Sequence, residues 1–334
     1  MLTQLDHIPA GLLHTPARDL HEMLPGPALI HLPGRREPPL FVSVLLHGNE
    51  DTGLHAVQTL LARQETLPRA LSIFIGNVSA ARYGARVLPG QPDYNRVWPC
   101  ADPPDSPEAR MLAQVVDIMA ARGVFASVDI HNNTGLNPHY ACINRLDHRF
   151  LRLALLFSRT VVYFVRPTGV QSMAFAALCP ATTLECGKPG QARGLEHAVE
   201  YLQACLKLAE IPAHPVAEQD IDLFHTVAVV KLLEDVSFSF GDAAADIRFV
   251  DDLDRLNFRE LPAGAILGAM NSTAALPLVA ASEAGEDVTR EYFENAEGRL
   301  TLKRAAMPSM LTLDERIIRQ DCLCYLMERI ALPG

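Results

Sequence analysis

A histidine and a glutamate three residues apart, His47 and Glu50, directly follow the apolar run 40–46. A strand that ends in this way brings an imidazole and a carboxylate to one edge of a sheet, where both can bind a borderline metal such as zinc. A catalytic zinc site needs a third protein ligand. His131 supplies a candidate, because it follows the apolar run 124–130. The three residues predict a His₂Glu site for one zinc ion per chain.

Each of these signals also has a structural explanation. The HxxE pattern occurs by chance in many proteins, and a histidine at a strand end more often forms a hydrogen bond than a metal bond. Asp129 lies two residues before His131, on the same face of the strand, and is expected to accept the second imidazole proton. The alternative for Asp129 is a strand-end carboxylate without a special role. Polar residues at several strand ends favour the metal site.

Glu185 ends a further short apolar run, 181–185, and Gly187 follows it and leaves room for a substrate. A carboxylate at that place can take a proton from water and later pass it to a leaving nitrogen. The alternative is an exposed glutamate in a loop. Because the chain also carries a candidate metal set, the sequence favours Glu185 as a catalytic base.

Two arginines and an amide, Arg86, Asn95 and Arg96, make up the fourth candidate element. A guanidinium beside an amide can hold a substrate carboxylate. A second arginine near the metal can stabilise the oxyanion that forms when water attacks a carbonyl. The alternative is a surface loop with an ion pair.

The order of these motifs resembles that of the zinc carboxypeptidase clan and, more narrowly, of the succinylglutamate desuccinylase/aspartoacylase family. The matching stretches lie within residues 40–190, about half of the chain. They are residues 46–53, 76–86, 93–98, 129–132 and 183–187. The HGNE sequence followed by a glycine is closer to the deacylase branch than to digestive carboxypeptidases.

This resemblance implies a role for each matching residue. The metal ligands would be His47, Glu50 and His131, and Glu185 would act as general base and general acid. The substrate carboxylate would be held by the pair Asn95 and Arg96, and the scissile carbonyl would be polarised by Arg86.

The implied activity is zinc-dependent hydrolysis of an amide bond next to a carboxylate, as in an N-acyl amino acid deacylase. Two alternatives stay open: a zinc metallocarboxypeptidase that acts on short peptides, and a non-catalytic homologue that binds a ligand. The expected partner is a small acidic acyl amino acid or a short peptide. The sequence also leaves a homo-oligomer open.

The elements that must position these residues alternate between strand and helix. Strands are predicted at 28–32, 41–46, 71–75, 124–130, 160–164 and 181–185, and helices at 53–64, from Pro107 onward, at 151–157 and at 194–208. This alternation predicts an α/β fold with a largely parallel sheet flanked by helices. The resemblance implies a mixed sheet with a smaller β-rich C-terminal domain. The segment 211–215 is expected to be a linker, so we predict a catalytic domain at 1–212 and the second domain at 213–334.

Composition narrows the classes of partner. The chain has 334 residues and a formal net charge of −10, and this acidic balance without a basic stripe disfavours nucleic acid. No apolar run is long enough to span a bilayer, and residues 1–7 lack the features of a signal peptide. Seven irregularly placed cysteines do not suggest a disulfide framework, so a cytoplasmic location is expected. Cys322 and Cys324 are expected to be core thiols in a helical C-terminal segment.

Overall fold

Short apolar runs form most of the strands of this protein, for which a computed structural model describes residues 1–241, 243–271 and 275–332. The strands in chain order are β1 (Thr3–Leu5), β2 (Ala28–Leu32), β3 (Leu40–Val44), β4 (Leu71–Ile75), β5 (Ala126–His131), β6 (Tyr140–Ile143), β7 (Thr160–Tyr163), β8 (Ala181–Glu185), β9 (Asp222–Leu232), β10 (Phe238–Phe240), β11 (Ile247–Phe249), β12 (Ile266–Met270), β13 (Leu278–Ser282), β14 (Phe293–Ala296), β15 (Arg299–Leu302), β16 (Met307–Ser309) and β17 (Cys324–Arg329).

The helices lie between these strands. They are α1 (Thr52–Ala62), α2 (Val78–Ala81), α3 (Pro107–Arg122), α4 (His148–Leu155), α5 (Gln171–Ala176), α6 (Ala192–Lys207), α7 (Thr289–Tyr292) and α8 (Glu315–Gln320). Helix α3 shows why they begin where they do: the Ser106 side chain accepts the Ala109 N–H, and proline occupies the first helical position. Gly123 follows this helix at a φ of 73°.

One large sheet contains the strand order β1-β2-β4-β3-β5-β8-β6-β7-β9-β17-β16, and β13 also pairs with β9. Its centre is parallel, since β4, β3, β5 and β8 are parallel neighbours, while β2, β6, β16 and β17 introduce antiparallel pairs. Helices from the first two hundred residues pack on it, with α1 against α6 and α5 against β5 and β8. The predicted mixed, largely parallel sheet flanked by helices is confirmed.

The C-terminal part is rich in strands, as predicted. A second sheet has the order β10-β11-β12-β15-β14. The large sheet also continues into this part of the chain, because β9 pairs with β7 on one side and with β17 on the other. The division into domains at residues 212 and 213 stays a prediction.

The helices and strands predicted within residues 28–208 are confirmed, with ends that differ by a few residues. The helix predicted around Cys322 and Cys324 is wrong. Cys324 begins strand β17, which pairs with β9, although both thiols are buried and free as expected. Among the described residues, no helix is long and apolar enough to cross a membrane.

Candidate metal centre and active site

Three neighbouring parallel strands, β3, β5 and β8, bring the candidate site together. Parallel strands end at the same edge of a sheet, so the residues that follow them meet there. The register fixes this edge: Ser43 of β3 lies opposite Asp129 of β5, and His131 of β5 lies opposite Glu185 of β8. Because these strands end at the same edge, residues as far apart in sequence as His47 and Glu185 can form one site.

The chain turns sharply after β3. Leu45 has a φ of 56°, and the Glu50 N–H donates to the His47 carbonyl at 3.2 Å, which places both side chains on one side of the turn. The Gly48 N–H donates to the Arg86 carbonyl at 3.1 Å. A Cβ atom on Gly48 would lie 2.2 Å from the Ala81 nitrogen, so this close approach of two backbones requires glycine.

The three candidate ligands are buried around a common point. His47, Glu50 and His131 are 3%, 6% and 4% exposed, and their potential ligand atoms lie within 4.8 Å of one another. The two oxygens of Glu50 each lie 2.8 Å from an imidazole Nδ1, one from His47 and the other from His131. The predicted trio therefore converges.

The outer nitrogen of each imidazole also faces a carboxylate. His47 Nε2 lies 2.9 Å from Asp93, and His131 Nε2 lies 2.7 Å from Asp129, which accepts the Ser43 hydroxyl proton at 2.5 Å. With a metal bound, these carboxylates would hold the proton on Nε2 and leave the Nδ1 lone pair to face the centre. The predicted contact between Asp129 and His131 is confirmed.

The donor set fits a zinc ion. Zinc binds imidazole nitrogen and carboxylate oxygen, and catalytic sites commonly use three such protein ligands. Burial opposes the charged form of His131, yet the carboxylates of Asp129 and Glu50 outweigh it and raise the pKa of this imidazole well above its usual range. Such a concentration of buried negative charge is suited to a cation.

Glu185 lies in the wall of the same cavity as these ligands. Its side chain is 7% exposed, and the Asn133 amide donates to one of its oxygens at 3.4 Å. Burial raises the pKa of this carboxyl to about 7. Asn132 connects the surrounding loops, because its amide donates to the Gly187 carbonyl at 2.8 Å while its backbone N–H donates to Glu50 at 3.1 Å.

The two candidate arginines lie side by side and share acidic partners. Arg86 donates to Asp93 at 3.0 Å and to Asp321 at 3.2 Å, and Arg96 donates to Asp321 at 2.8 Å. The Asn95 side chain contacts His131 Nε2 at 3.3 Å. The arginines are therefore connected to the metal centre through Asp93 and Asn95.

Comparison with solved structures identifies the fold. A scan against protein-family models and a search of curated proteins find no match. The succinylglutamate desuccinylase from Chromobacterium violaceum is 20% identical with a TM-score of 0.57, and the alignment covers 90% of this chain and 87% of that one. For the succinylglutamate desuccinylase/aspartoacylase from Rhodobacter sphaeroides the identity is 14%, the TM-score 0.59 and the coverage 90% and 88%. Murine aminoacylase 3 is 15% identical with a TM-score of 0.52, and the alignment covers 88% of this chain and 97% of that one.

This chain has the desuccinylase/aspartoacylase fold. The likeness extends over most of each chain, including the C-terminal part in which the sequence offered no motif. The expected resemblance is confirmed at the level of the fold.

Seven of the side chains singled out from the sequence line one cavity. They are His47, Glu50, Arg86, Asn95, Arg96, His131 and Glu185. The remaining wall is largely apolar or aromatic and includes Tyr140, Cys142, Val162, Phe164 and Val170.

Two acidic residues of the candidate site, Asp93 and Asp321, were not assigned a role from the sequence. Asp93 begins the motif that contains Asn95 and Arg96. Its position next to these two candidate residues was a signal that it could belong to the site. Asp321 lies 225 positions after Arg96 and carries no local signal. Its contact with the arginines depends entirely on how the C-terminal part folds back.

Proposed function

We propose that this protein is a zinc-dependent hydrolase of N-acyl amino acids. The observation that carries the proposal is the convergence of a buried His₂Glu set, a buried glutamate and two arginines in one cavity. Each component has a separate chemical use in cleaving an amide bond next to a carboxylate.

Zinc would be held by His47, Glu50 and His131. When bound, it would supply Lewis acidity, which polarises a carbonyl and lowers the pKa of water. Asp93 and Asp129 keep the two imidazoles oriented through their outer nitrogens.

Glu185 is the proposed general base and acid. Its carboxylate takes a proton from the attacking water and donates it to the nitrogen of the departing amine. The contact with Asn133 fixes one oxygen of the carboxylate and leaves the other available to the cavity. Water is restricted around it because Glu185 and the metal ligands are all buried.

The arginines are proposed to recognise the substrate. Arg96 with Asn95 would bind its carboxylate, and Arg86 would polarise the scissile carbonyl and stabilise the developing oxyanion. The distance of 3.7 Å between Arg86 Nη1 and the candidate ligand Glu50 supports this role.

A panel of zinc-loaded reactions tests the proposal. Release of free amino acid from N-acetyl and N-succinyl amino acids should greatly exceed release from short peptides. Turnover of the peptides alone would instead support the metallocarboxypeptidase. No turnover of either class by a fully zinc-loaded protein would reject both and favour a non-catalytic binding protein. Glu185→Gln provides the inactive control for contaminating hydrolases.

A further inference from the structure

The C-terminal part of the chain places its own carboxylate between the two arginines. Asp321 follows helix α8, and its two oxygens accept from different guanidinium groups, one from Arg96 at 2.8 Å and one from Arg86 at 3.2 Å. The side chains of Arg86, Arg96 and Asp321 are 10%, 26% and 17% exposed, so the ion pairs are shielded but still reach the cavity. The contact with Arg96 is of the kind that a substrate carboxylate would make.

The guanidinium nitrogens that contact Asp321 also have other acceptors or neighbours that accept from the same guanidinium group. Arg96 uses Nη1 for the Asn95 carbonyl and Nη2 for Asp321, and Arg86 uses Nη2 for both Asp93 and Asp321. A carboxylate that binds the Nη2 atoms of both arginines must therefore replace one of the existing acceptors.

The two acidic partners differ in how firmly they are held. Asp93 also faces His47 Nε2 and accepts the Asn95 N–H at 2.7 Å, so displacing it would disturb the metal centre. Within residues 1–241, 243–271 and 275–332, the side-chain hydrogen bonds of Asp321 go to the two arginines alone. Asp321 is the acceptor that can leave.

Charge supports the same assignment. Burial opposes ionisation of Arg86 and Arg96, but Asp321 is their foremost acidic partner and raises the pKa of both guanidinium groups. Burial likewise opposes ionisation of Asp321, and the two arginines outweigh it and lower the pKa of this carboxyl. The three groups are charged together, and their mutual attraction is what an incoming anion must replace.

We propose that Asp321 occupies the position of the substrate carboxylate at Arg96 and competes with it there, while its second oxygen pairs with Arg86. This inference rests on the proposed function, in which Arg96 binds that carboxylate and Arg86 polarises the scissile carbonyl. Free carboxylate ions then bind weakly, because they must displace an internal carboxylate at a high effective concentration. A full substrate succeeds because its acyl group contacts the rest of the cavity at the same time. Asp321 is thus a specificity-determining residue that disfavours small anions.

Calorimetric titration of the zinc-loaded full-length protein with succinate tests the proposal. Asp321→Asn keeps the shape of the side chain but removes its charge, so succinate should bind roughly tenfold more tightly or better, the effect expected of a charged hydrogen-bond competitor. The matched control is Glu328→Gln, which removes a charge that pairs with Arg304 outside the cavity and should leave the affinity unchanged. Unchanged or weaker succinate binding in Asp321→Asn would overturn the proposal.

A double variant locates the effect. Adding Arg96→Gln to Asp321→Asn should remove the increase in succinate affinity, because this increase comes from the Arg96 guanidinium that Asp321 no longer neutralises. A gain that persists without Arg96 would show that succinate binds elsewhere, and the proposal would fail.

A second measurement uses the wild-type protein and does not depend on the folding of any variant. In a crystal structure of the zinc-loaded protein soaked with succinate, a succinate carboxylate should contact Arg96 and the Asp321 side chain should have moved away from it. Succinate on Arg96 with both Asp321 contacts intact would overturn the proposal. These binding results are separable from the proposed function: absent deacylase activity with displaced Asp321 rejects only the function, whereas activity without competition rejects only the role of Asp321.

Discussion

The two halves of the candidate site are built in different ways. In the metal half, the ligands follow adjacent parallel strands, and each imidazole lies between Glu50 and a second carboxylate. In the arginine half, loop residues 86–96 meet Asp321 from the far end of the chain. The metal half is also more deeply buried, with side chains 4% to 7% exposed against 10% to 26% for the arginine half. The sheet fixes the positions of the candidate metal ligands, while packing between distant segments fixes the positions of the two arginines.

The largest expected effect is a loss of turnover that leaves zinc binding intact. Glu185→Gln keeps the size of the side chain but removes its ability to take up a proton. Turnover should fall roughly 10²–10⁴-fold, the usual contribution of a general acid–base group, while zinc content stays near one per chain. Steady-state kinetics and metal analysis of the same sample check this. Activity near that of the wild type would refute the role of Glu185.

The next prediction compares the carboxylates behind the two imidazoles. Asp129→Asn should reduce zinc affinity roughly 10–100-fold, because it weakens the orientation of His131. Asp93→Asn should reduce zinc affinity and also raise KM, since Asp93 contacts both His47 and Arg86.

Competition with a zinc-binding dye and kinetics at saturating zinc measure the two quantities separately. At saturating zinc, Asp129→Asn should keep the wild-type KM. An equal increase in KM for both variants would show that the two halves are not separable in this way.

A smaller effect is expected in the turn that carries His47. Gly48→Ala would place a Cβ atom against the backbone of Ala80 and Ala81, so the free energy of unfolding should fall by about 1–3 kcal/mol. Gly26→Ala is the matched control, since the nearest atom to its added Cβ would be 3.8 Å away. Urea denaturation measures both. Equal stability of the two variants would contradict the tight packing of this turn.

The smallest effect concerns a pair of histidines, His139 before β6 and His197 in α6, whose Nδ1 atoms lie 3.0 Å apart. Burial is the main cause that lowers the pKa of both imidazoles from 6.5, and at His139 the charges of His197 and Arg193 add to it. At His197 the hydrogen bond with the Phe157 backbone and the charge of Glu200 oppose the shift without reversing it. Because the folded protein favours the neutral rings, the pair's contribution to stability is complete above pH 6.5 and declines as the pH falls below it.

His197→Gln should therefore lose less stability than the wild type between pH 7.5 and 5.5 in urea titrations. The control is His214→Gln, a substitution of an exposed histidine, and its stability should change with pH as that of the wild type does. A pH dependence of His197→Gln identical to that of the wild type would show that the histidine pair does not contribute.

The metal half could be predicted from the sequence because its residues are tied to strand ends. His47, Glu50 and His131 each follow an apolar run, and parallel pairing then brings them together. Asp321 could not be predicted, since its partners depend on the tertiary contact between residues more than two hundred positions apart. The helix predicted around Cys324 failed for another reason: a short apolar run does not distinguish helix from strand, and here pairing with β9 decides for a strand.

Zinc analysis of the purified protein tests the central claim most directly. After reconstitution with zinc and removal of excess ion, mass spectrometry of the native protein should find close to one zinc per wild-type chain. His131→Ala, which removes one of three ligands, should retain almost none while keeping a native circular dichroism spectrum. A wild-type protein without zinc, or a His131→Ala variant with the full complement, would contradict a metal site formed by His47, Glu50 and His131.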